Sequence, residues 1–204
     1  MFYPIYLNLK NKRVIVIGGG EVAERKLHSL LGTEADITVI SPEVTATIEL
    51  LAQSGRIHLL RRPYVDGDCD DAMLVFSATD DPAVSAEVFN TSALVNTADQ
   101  PELCDFIMPA VMRRGDITVA ISTGGSSPGL AARLRDEVTE IIGPEYGELA
   151  ALLRRVRPEI LNRVPDQEQR KALHYRILDS DIIERLKRGD SEGAERRLRE
   201  LMES

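Results

Sequence analysis

Residues 13–26 read RVIVIGGGEVAERK, from Arg13 to Lys26, and this stretch decides the fold. Its four β-branched apolar residues, 14–17, are typical of a strand buried on both faces of a parallel sheet. Gly18 and Gly20 follow, and Ala23 completes the G-x-G-x-x-G/A pattern, in which glycine permits a tight turn and close approach of a ligand. The next apolar residues have helical spacing. Strand, glycine turn and helix together predict dinucleotide binding at the helix N-terminus, and an ordinary glycine turn is the alternative.

Composition limits the function classes. The chain has 204 residues and a formal net charge of −8, which argues against nucleic-acid binding. No apolar run is long enough to cross a membrane, and the first residues do not resemble a signal peptide, so we expect a cytoplasmic protein. Cys69 and Cys104 form no C-x-x-C pair and the histidines show no ligand spacing, so we expect free thiols and no metal site.

Strands and helices alternate as far as residue 99. Apolar runs predict further strands at residues 36–41, 56–60, 73–79 and 93–99, with helices at 45–54 and 83–91. Residues 4–9 are expected to run extended along an edge of the sheet. This order predicts an α/β fold with a Rossmann-like parallel sheet.

Ligands of open parallel sheets bind beyond the carboxyl ends of the strands. We therefore expect Thr79, Asp80, Asn96 and Asp99 to lie on the same rim as the glycine turn.

The end of the second strand bears on the choice of cofactor. Many NAD enzymes have an acidic residue here that holds the ribose, and this chain has Ser41, Pro42 and Glu43. Glu43 could accept hydrogen bonds from the ribose, or Ser41 could tolerate the 2′-phosphate of NADP. Glu43 could also be a simple first-turn helix acid. The sequence leaves these alternatives open.

The alternation stops after residue 105. Residues 106–113 and 117–122 predict an antiparallel hairpin, and Ser127 is expected to cap a helix that begins at Pro128. The remaining chain has helical periodicity, with breaks predicted near Pro158, Pro165 and Gly189. We therefore predict a dinucleotide-binding domain at 1–105, a dimerisation region at 106–143 and a C-terminal helical domain at 144–204.

Charge within this central region suggests an anionic ligand. Residues 106–135 contain Arg113, Arg114, Arg133 and Arg135 against Asp116 alone. The glycine-rich loop at 124–129 adds backbone donors at a helix N-terminus. Solvated arginines, or arginines paired across a subunit interface, are the alternative.

Four motifs together resemble the precorrin-2 dehydrogenase family, which includes the dehydrogenase and chelatase module of sirohaem synthase. They are PIYL at 4–7 before the glycine turn, NTADQP at 96–101, FIMPA at 106–110 and STGGSSP at 122–128. The last two are far more specific than the glycine turn. Thr123 stands where some members have serine, which keeps the hydroxyl. We expect the stand-alone form of the family, without a methyltransferase domain.

The resemblance implies NAD-dependent oxidation of precorrin-2 to sirohydrochlorin by a homodimer, with iron insertion in some members. We expect chelatase activity to be weak or absent here, because no His or Cys cluster marks a metal site. The alternative is a non-catalytic NAD(P)-sensing regulatory module, which would leave the hairpin and its arginines without a purpose. The predicted site residues are Asp99 for catalysis; Gly18, Gly20, Glu21, Val22, Pro42, Glu43, Thr79 and Asn96 for the cofactor; and Arg113, Arg114, Thr123, Gly124, Gly125, Ser126 and Ser127 for the substrate.

Overall fold

The computed structural model of the chain describes residues 2–91 and 93–203. The chain divides into two compact units, residues 1–107 and 108–204. The predicted junction at residues 143 and 144 lies inside the second unit, between two of its helices. Among the described residues, no helix is both long and apolar enough to span a bilayer.

The first unit is a five-stranded parallel sheet with helices on both faces. Its elements are β1 (Arg13–Ile17), α1 (Glu21–Leu30), β2 (Asp36–Ile40), α2 (Ala46–Gln53), β3 (His58–Leu60), β4 (Leu74–Ser77), α3 (Pro82–Phe89) and β5 (Leu94–Thr97), followed by a 3₁₀ turn at Pro101–Leu103. The strand order is β3-β2-β1-β4-β5, and all four pairings are parallel. The Rossmann-like fold predicted from the sequence is confirmed.

The central strand explains why this sheet forms. Val14 and Val16 of β1 pack with α1 and α2 on one face, and Ile15 and Ile17 pack with α3 on the other. All four are almost completely buried. A strand covered on both faces has no side for polar residues, which is why its sequence is continuously apolar.

Polar residues set the helix ends, and the N-terminal segment differs from the prediction. Thr45 and Asp81 cap α2 and α3 by accepting hydrogen bonds from backbone N–H groups. Residues 4–9 form no strand, and that they run extended along an edge of the sheet stays a prediction. Leu9 packs into the core, whereas Tyr3 and Tyr6 are largely exposed.

The second unit contains a β-hairpin and five helices among the described residues. Its elements are β6 (Ala110–Arg114), β7 (Ile117–Ile121), α4 (Pro128–Ile141), α5 (Pro144–Arg163), α6 (Gln167–Leu178), α7 (Ile182–Lys187) and α8 (Ser191–Glu203). Strands β6 and β7 pair antiparallel, as predicted. Helix α4 packs on the hairpin, and helices α5 to α8 share one apolar core.

Three prolines and a glycine shape the second unit. Pro128 and Pro144 each occupy the first turn of a helix, where a missing N–H is harmless. The break predicted at Pro158 was wrong, because α5 continues through it. Buried Leu152 and Ile160, on either side of Pro158, hold the helix in the core despite the lost hydrogen bond. Gly147 lets α5 approach the hairpin closely, since a Cβ there would lie 2.9 Å from the carbonyl oxygen of Arg114.

Candidate functional site

The glycine turn between β1 and α1 is crowded at its first two glycines. Gly18 has a φ of +110°, and a Cβ there would lie 2.2 Å from the carbonyl oxygen of Ala78. A Cβ on Gly19 would lie 2.0 Å from the carbonyl oxygen of Glu43. Both glycines are therefore required by the protein's own backbone, which passes close to the turn on two sides.

Gly20 differs from its neighbours. It is exposed, and a Cβ added there would have no heavy atom within 4 Å. It is also the N-cap residue of α1, and no side chain caps this helix. The first N–H groups of α1, including those of Glu21 and Val22, therefore have no partner within the helix. Open space beside uncapped N–H donors fits the pyrophosphate of a dinucleotide.

The second strand ends beside this turn. The Ser41 side chain is only 7% exposed, and its hydroxyl donates to the carbonyl oxygen of Glu43 at 2.6 Å. The backbone N–H of Thr45 donates to the carbonyl oxygen of Gly19 at 2.9 Å, which fastens the two turns together. Pro42 and the Glu43 carboxylate are exposed. The Ser41 hydroxyl thus already donates a hydrogen bond within the protein, while the Glu43 carboxylate remains available to a ligand.

A hydrogen bond joins α1 to the start of α2. The Thr45 hydroxyl donates to Oε2 of Glu24 at 2.7 Å, and this bond lowers the pKa of the Glu24 carboxyl. The helix that begins at the glycine turn is therefore fixed to the loop that carries Glu43.

Asp99 follows β5 in a loop between residues 97 and 105. It is exposed and has a φ of +58°, a left-handed conformation that aspartate adopts more readily than most residues. Such backbone conformations cost free energy and are concentrated at functional sites. The fourth strand after β1 along the chain is β5, but in the sheet only β4 lies between them. Asp99 and the glycine turn therefore both follow the carboxyl ends of their strands, at the same end of the parallel sheet.

Two other residues predicted to contact the cofactor, Thr79 and Asn96, already form hydrogen bonds within the protein. Thr79 follows β4, and its hydroxyl oxygen accepts a hydrogen bond from the N–H of Asp81 at 3.3 Å. The Asn96 side chain is only 7% exposed; its Oδ1 accepts from Nζ of Lys26 at 3.0 Å and its Nδ2 donates to the carbonyl oxygen of Phe106 at 2.9 Å. Cofactor contacts by these two residues stay predictions.

Sequence reasoning missed Lys26 and Cys104. The Cys104 sulfur accepts from the N–H of Thr97 at 3.2 Å, and its S–H lies 3.2 Å from the carbonyl oxygen of Thr97 and 3.3 Å from that of Gln100. Burial lowers the pKa of the Lys26 ammonium. A signal for Lys26 was present, because it lies one helical turn after Ala23 and one before Leu30, both buried, and so on the apolar side of α1.

In the second unit, the arginines do not form the charge excess that the sequence suggested. Arg133 pairs with Glu137 at 3.0 Å and Arg135 pairs with Asp136 at 2.7 Å, and both acids lie just beyond the stretch counted. Arg113 and Arg114 have no carboxylate partner among the described residues. The Nε atom of Arg114 is also buried without a hydrogen-bond partner there. Of the four arginines, Arg113 and Arg114 therefore remain the candidates for a local anion site.

The loop from Thr123 to Ser127 is held by its own hydrogen bonds. The Thr123 hydroxyl accepts from the N–H of Ser127 at 3.1 Å and donates to its carbonyl oxygen at 3.0 Å. Gly124 and Gly125 have positive φ values of +63° and +89°. Ser127 caps α4 through the N–H of Leu130, as predicted. Ser126 and both glycines are exposed, so a ligand can reach them.

Three family models match the chain in succession. A model described as putative NAD(P)-binding matches residues 5–110, more than half of the chain. The chain belongs to this family. Residues 114–141 match the sirohaem biosynthesis protein central model, and residues 145–202 match the sirohaem synthase dimerisation region. The dimerisation-region match lies on α5 to α8, whereas the dimerisation region predicted from the sequence is residues 106–143.

Individual relatives agree with these matches. This family member is 38% identical over 207 residues to siroheme synthase of Thioalkalivibrio sulfidiphilus, covering 100% of the chain and 42% of the relative. For siroheme synthase of Azotobacter vinelandii, identity is 37% over 201 residues, covering 97% and 43%. The chain thus spans less than half the length of these relatives.

A solved structure described as SirC, precorrin-2 dehydrogenase, has a TM-score of 0.80 to the chain. Its sequence identity is 27%, and the match covers 98% of this chain and 100% of the other. Together with the three family models, this match confirms the resemblance to the precorrin-2 dehydrogenase module. No group of three or more His, Cys, Asp or Glu side chains that could hold a metal ion occurs in residues 2–91 and 93–203.

Proposed function

We propose that this chain oxidises precorrin-2 to sirohydrochlorin with NAD⁺ and that it acts as a homodimer. The observation that carries the proposal is the match to SirC, which covers nearly all of both chains and therefore includes the rim of the sheet, the hairpin and the C-terminal helices. The dimerisation-region match at residues 145–202 supports the homodimer. A cytoplasmic location stays a prediction.

The residues around the glycine turn suit NAD⁺. The uncapped N–H groups of Glu21 and Val22 would bind its pyrophosphate, and Gly20 leaves room for the approach. The Glu43 carboxylate, with Pro42 beside it, would accept hydrogen bonds from the adenosine ribose. A carboxylate here would also repel a 2′-phosphate, which favours NAD⁺ over NADP⁺. When bound, NAD⁺ supplies the acceptor for the hydride that the substrate loses.

Asp99 is our proposed catalytic base. Loss of a hydride from the reduced macrocycle must be accompanied by loss of a proton, and Asp99 is a carboxylate on the same sheet edge as the glycine turn. The substrate is a polycarboxylate. We propose that Arg113 and Arg114, which have no carboxylate partner among the described residues, and the loop 123–127 bind its carboxylates.

The proposal is tested by mixing the purified protein with NAD⁺ and precorrin-2 without oxygen. We expect NADH and sirohydrochlorin absorption to rise together in equal amounts. NAD⁺ binding without turnover would contradict the proposal and favour the NAD(P)-sensing alternative. A separate reaction with sirohydrochlorin and Co²⁺ or Fe²⁺ measures chelatase activity, which we expect to be weak or absent.

A further inference from the structure

Lys26 extends from the cofactor-binding helix α1 to the end of β5. We propose that it is a positioning residue that fixes the loop carrying Asp99 relative to the glycine turn. This inference rests on the proposed function, because that function gives Asp99 its catalytic role. The contacts of Lys26 are observed in the structure whatever the function is.

The path of the Lys26 side chain crosses the strand that separates the two parts of the site. Its Nζ atom lies 5.6 Å from the centre of the Phe76 ring on β4 and 3.0 Å from Oδ1 of Asn96 on β5. The Phe76 ring packs edge to face against Phe106, with ring centres 5.6 Å apart. Because Lys26 lies over a buried aromatic ring, the orientation of its ammonium group is restricted.

The bond from Lys26 orients the amide of Asn96. Because Oδ1 accepts from the ammonium, Nδ2 is left to donate to the carbonyl oxygen of Phe106 at 2.9 Å. Asn96 and Phe106 lie just before and just after the stretch that carries Asp99. Lys26 therefore acts where the chain enters and leaves this loop.

Two other contacts close the same loop base. Asp105 and Val95 exchange hydrogen bonds, from the N–H of Asp105 to the carbonyl oxygen of Val95 at 2.8 Å and from the N–H of Val95 to Oδ2 of Asp105 at 2.9 Å. Cys104 contacts Thr97 through its sulfur. Among these contacts, the hydrogen bond to Asn96 is the one made by a side chain of α1, that of Lys26.

Charge argues against a purely structural role for Lys26. The residue is half-buried and has no ion-pair partner within 4.0 Å among the described residues, and burial lowers its pKa. A neutral side chain of similar length would avoid the free energy of desolvating this charge. We therefore expect Lys26→Met to leave the melting temperature unchanged or raise it.

The test compares Lys26→Met with Lys26→Arg, which keeps a charged donor, and with Lys12→Met, an exposed lysine before β1. The first readout needs neither NAD⁺ nor substrate and is the rate of amide hydrogen exchange, measured by NMR, at the N–H groups of Thr97 and Asp105, which form hydrogen bonds at the loop base. Loss of a charged hydrogen bond at the loop base should raise this rate about tenfold in Lys26→Met.

The second readout is steady-state kinetics with precorrin-2. Lys26→Met should lower kcat about tenfold or more while the Kd for NAD⁺ stays unchanged, since a displaced catalytic group impairs the reaction rather than cofactor binding. Lys26→Arg should recover part of kcat and most of the slow hydrogen exchange, and Lys12→Met should match the parent. If Lys26→Met yields too little folded protein, Lys26→Leu, which also lacks a hydrogen-bond donor, supplies the same comparison.

The outcomes separate the two proposals. Failure of the parent protein to oxidise precorrin-2 would overturn the proposed function, and turnover by Asp99→Asn at the parent rate would remove Asp99 from the mechanism. In either case, hydrogen exchange at the loop base still tests the link from Lys26. If Asp99→Asn is inactive but Lys26→Met keeps the parent kcat, Lys26 does not position Asp99 and the inference fails. Unchanged hydrogen exchange at Thr97 and Asp105 in Lys26→Met also overturns it.

Discussion

A Cβ at Gly18 would lie 2.2 Å from the carbonyl oxygen of Ala78. Gly18→Ala should therefore destabilise the protein by about 3 kcal/mol or more, because a positive φ and a backbone clash act together. Urea unfolding measures the loss. Unfolding at the parent midpoint would show that the turn can relax.

Gly20→Ala is the matched variant, since a Cβ at Gly20 would have nothing within 4 Å and the φ of −85° suits alanine. It should lower stability by no more than about 1 kcal/mol, the effect of a poorer N-cap residue. The added methyl group occupies the space that we assign to the dinucleotide, so the Kd for NAD⁺ should rise about tenfold. Calorimetric titration checks this, and parent-like affinity would place the pyrophosphate elsewhere.

Asp99→Asn removes the carboxylate without straining the backbone, because asparagine also tolerates the φ of +58°. We expect kcat to fall about 10²-fold to 10⁴-fold, the usual contribution of a general base. The Kd for NAD⁺ and the melting temperature should match those of the parent. Sirohydrochlorin formation at an undiminished rate would remove Asp99 from the mechanism.

Glu43→Ser should relax the choice of cofactor. With the carboxylate gone, the preference in kcat/KM for NAD⁺ over NADP⁺ should fall about tenfold, since repulsion of the 2′-phosphate is lost. Asp66→Ser removes an exposed carboxylate from a loop of the same unit and serves as the control. If both variants keep the parent ratio, Glu43 does not face the ribose.

Cys69 should make the protein sensitive to alkaline pH. Burial raises the pKa of its thiol from 9.0 to about 11, so its contribution to stability is complete below pH 9 and is lost as pH rises through 11. The loss should be about 2 kcal/mol over this range. Cys69→Ala should show a flatter stability curve in urea unfolding between these pH values. Burial and then the neighbouring Cys69 raise the pKa of Tyr64 to about 12, so the difference between the two proteins also includes a smaller contribution from Tyr64.

Local sequence signals were sufficient where neighbouring residues determine the structure. The apolar run of β1, the glycine pattern and the cap at Ser127 each predicted what the structure contains. In each case the determining contacts lie within a few residues, or the pattern itself reports burial on both faces.

Features that depend on strand order or on side-chain partners were not predictable in this way. The sequence does not show that β4 separates β1 from β5, so the bond from Lys26 to Asn96 could not be expected. The arginines at 133 and 135 were counted as available because their acidic partners lie one to four residues further on. Pro158 was expected to break a helix that packing of Leu152 and Ile160 keeps intact.

Both ends of the stretch that carries Asp99 are fastened by Val95, Asn96, Cys104 and Asp105, and these contacts use no side chain from residues 98–103. The five positions other than Asp99 can therefore be substituted without loss of the side-chain contacts that hold the loop in place. We expect natural drift and laboratory evolution to tolerate changes at these positions while the sheet beneath them stays the same.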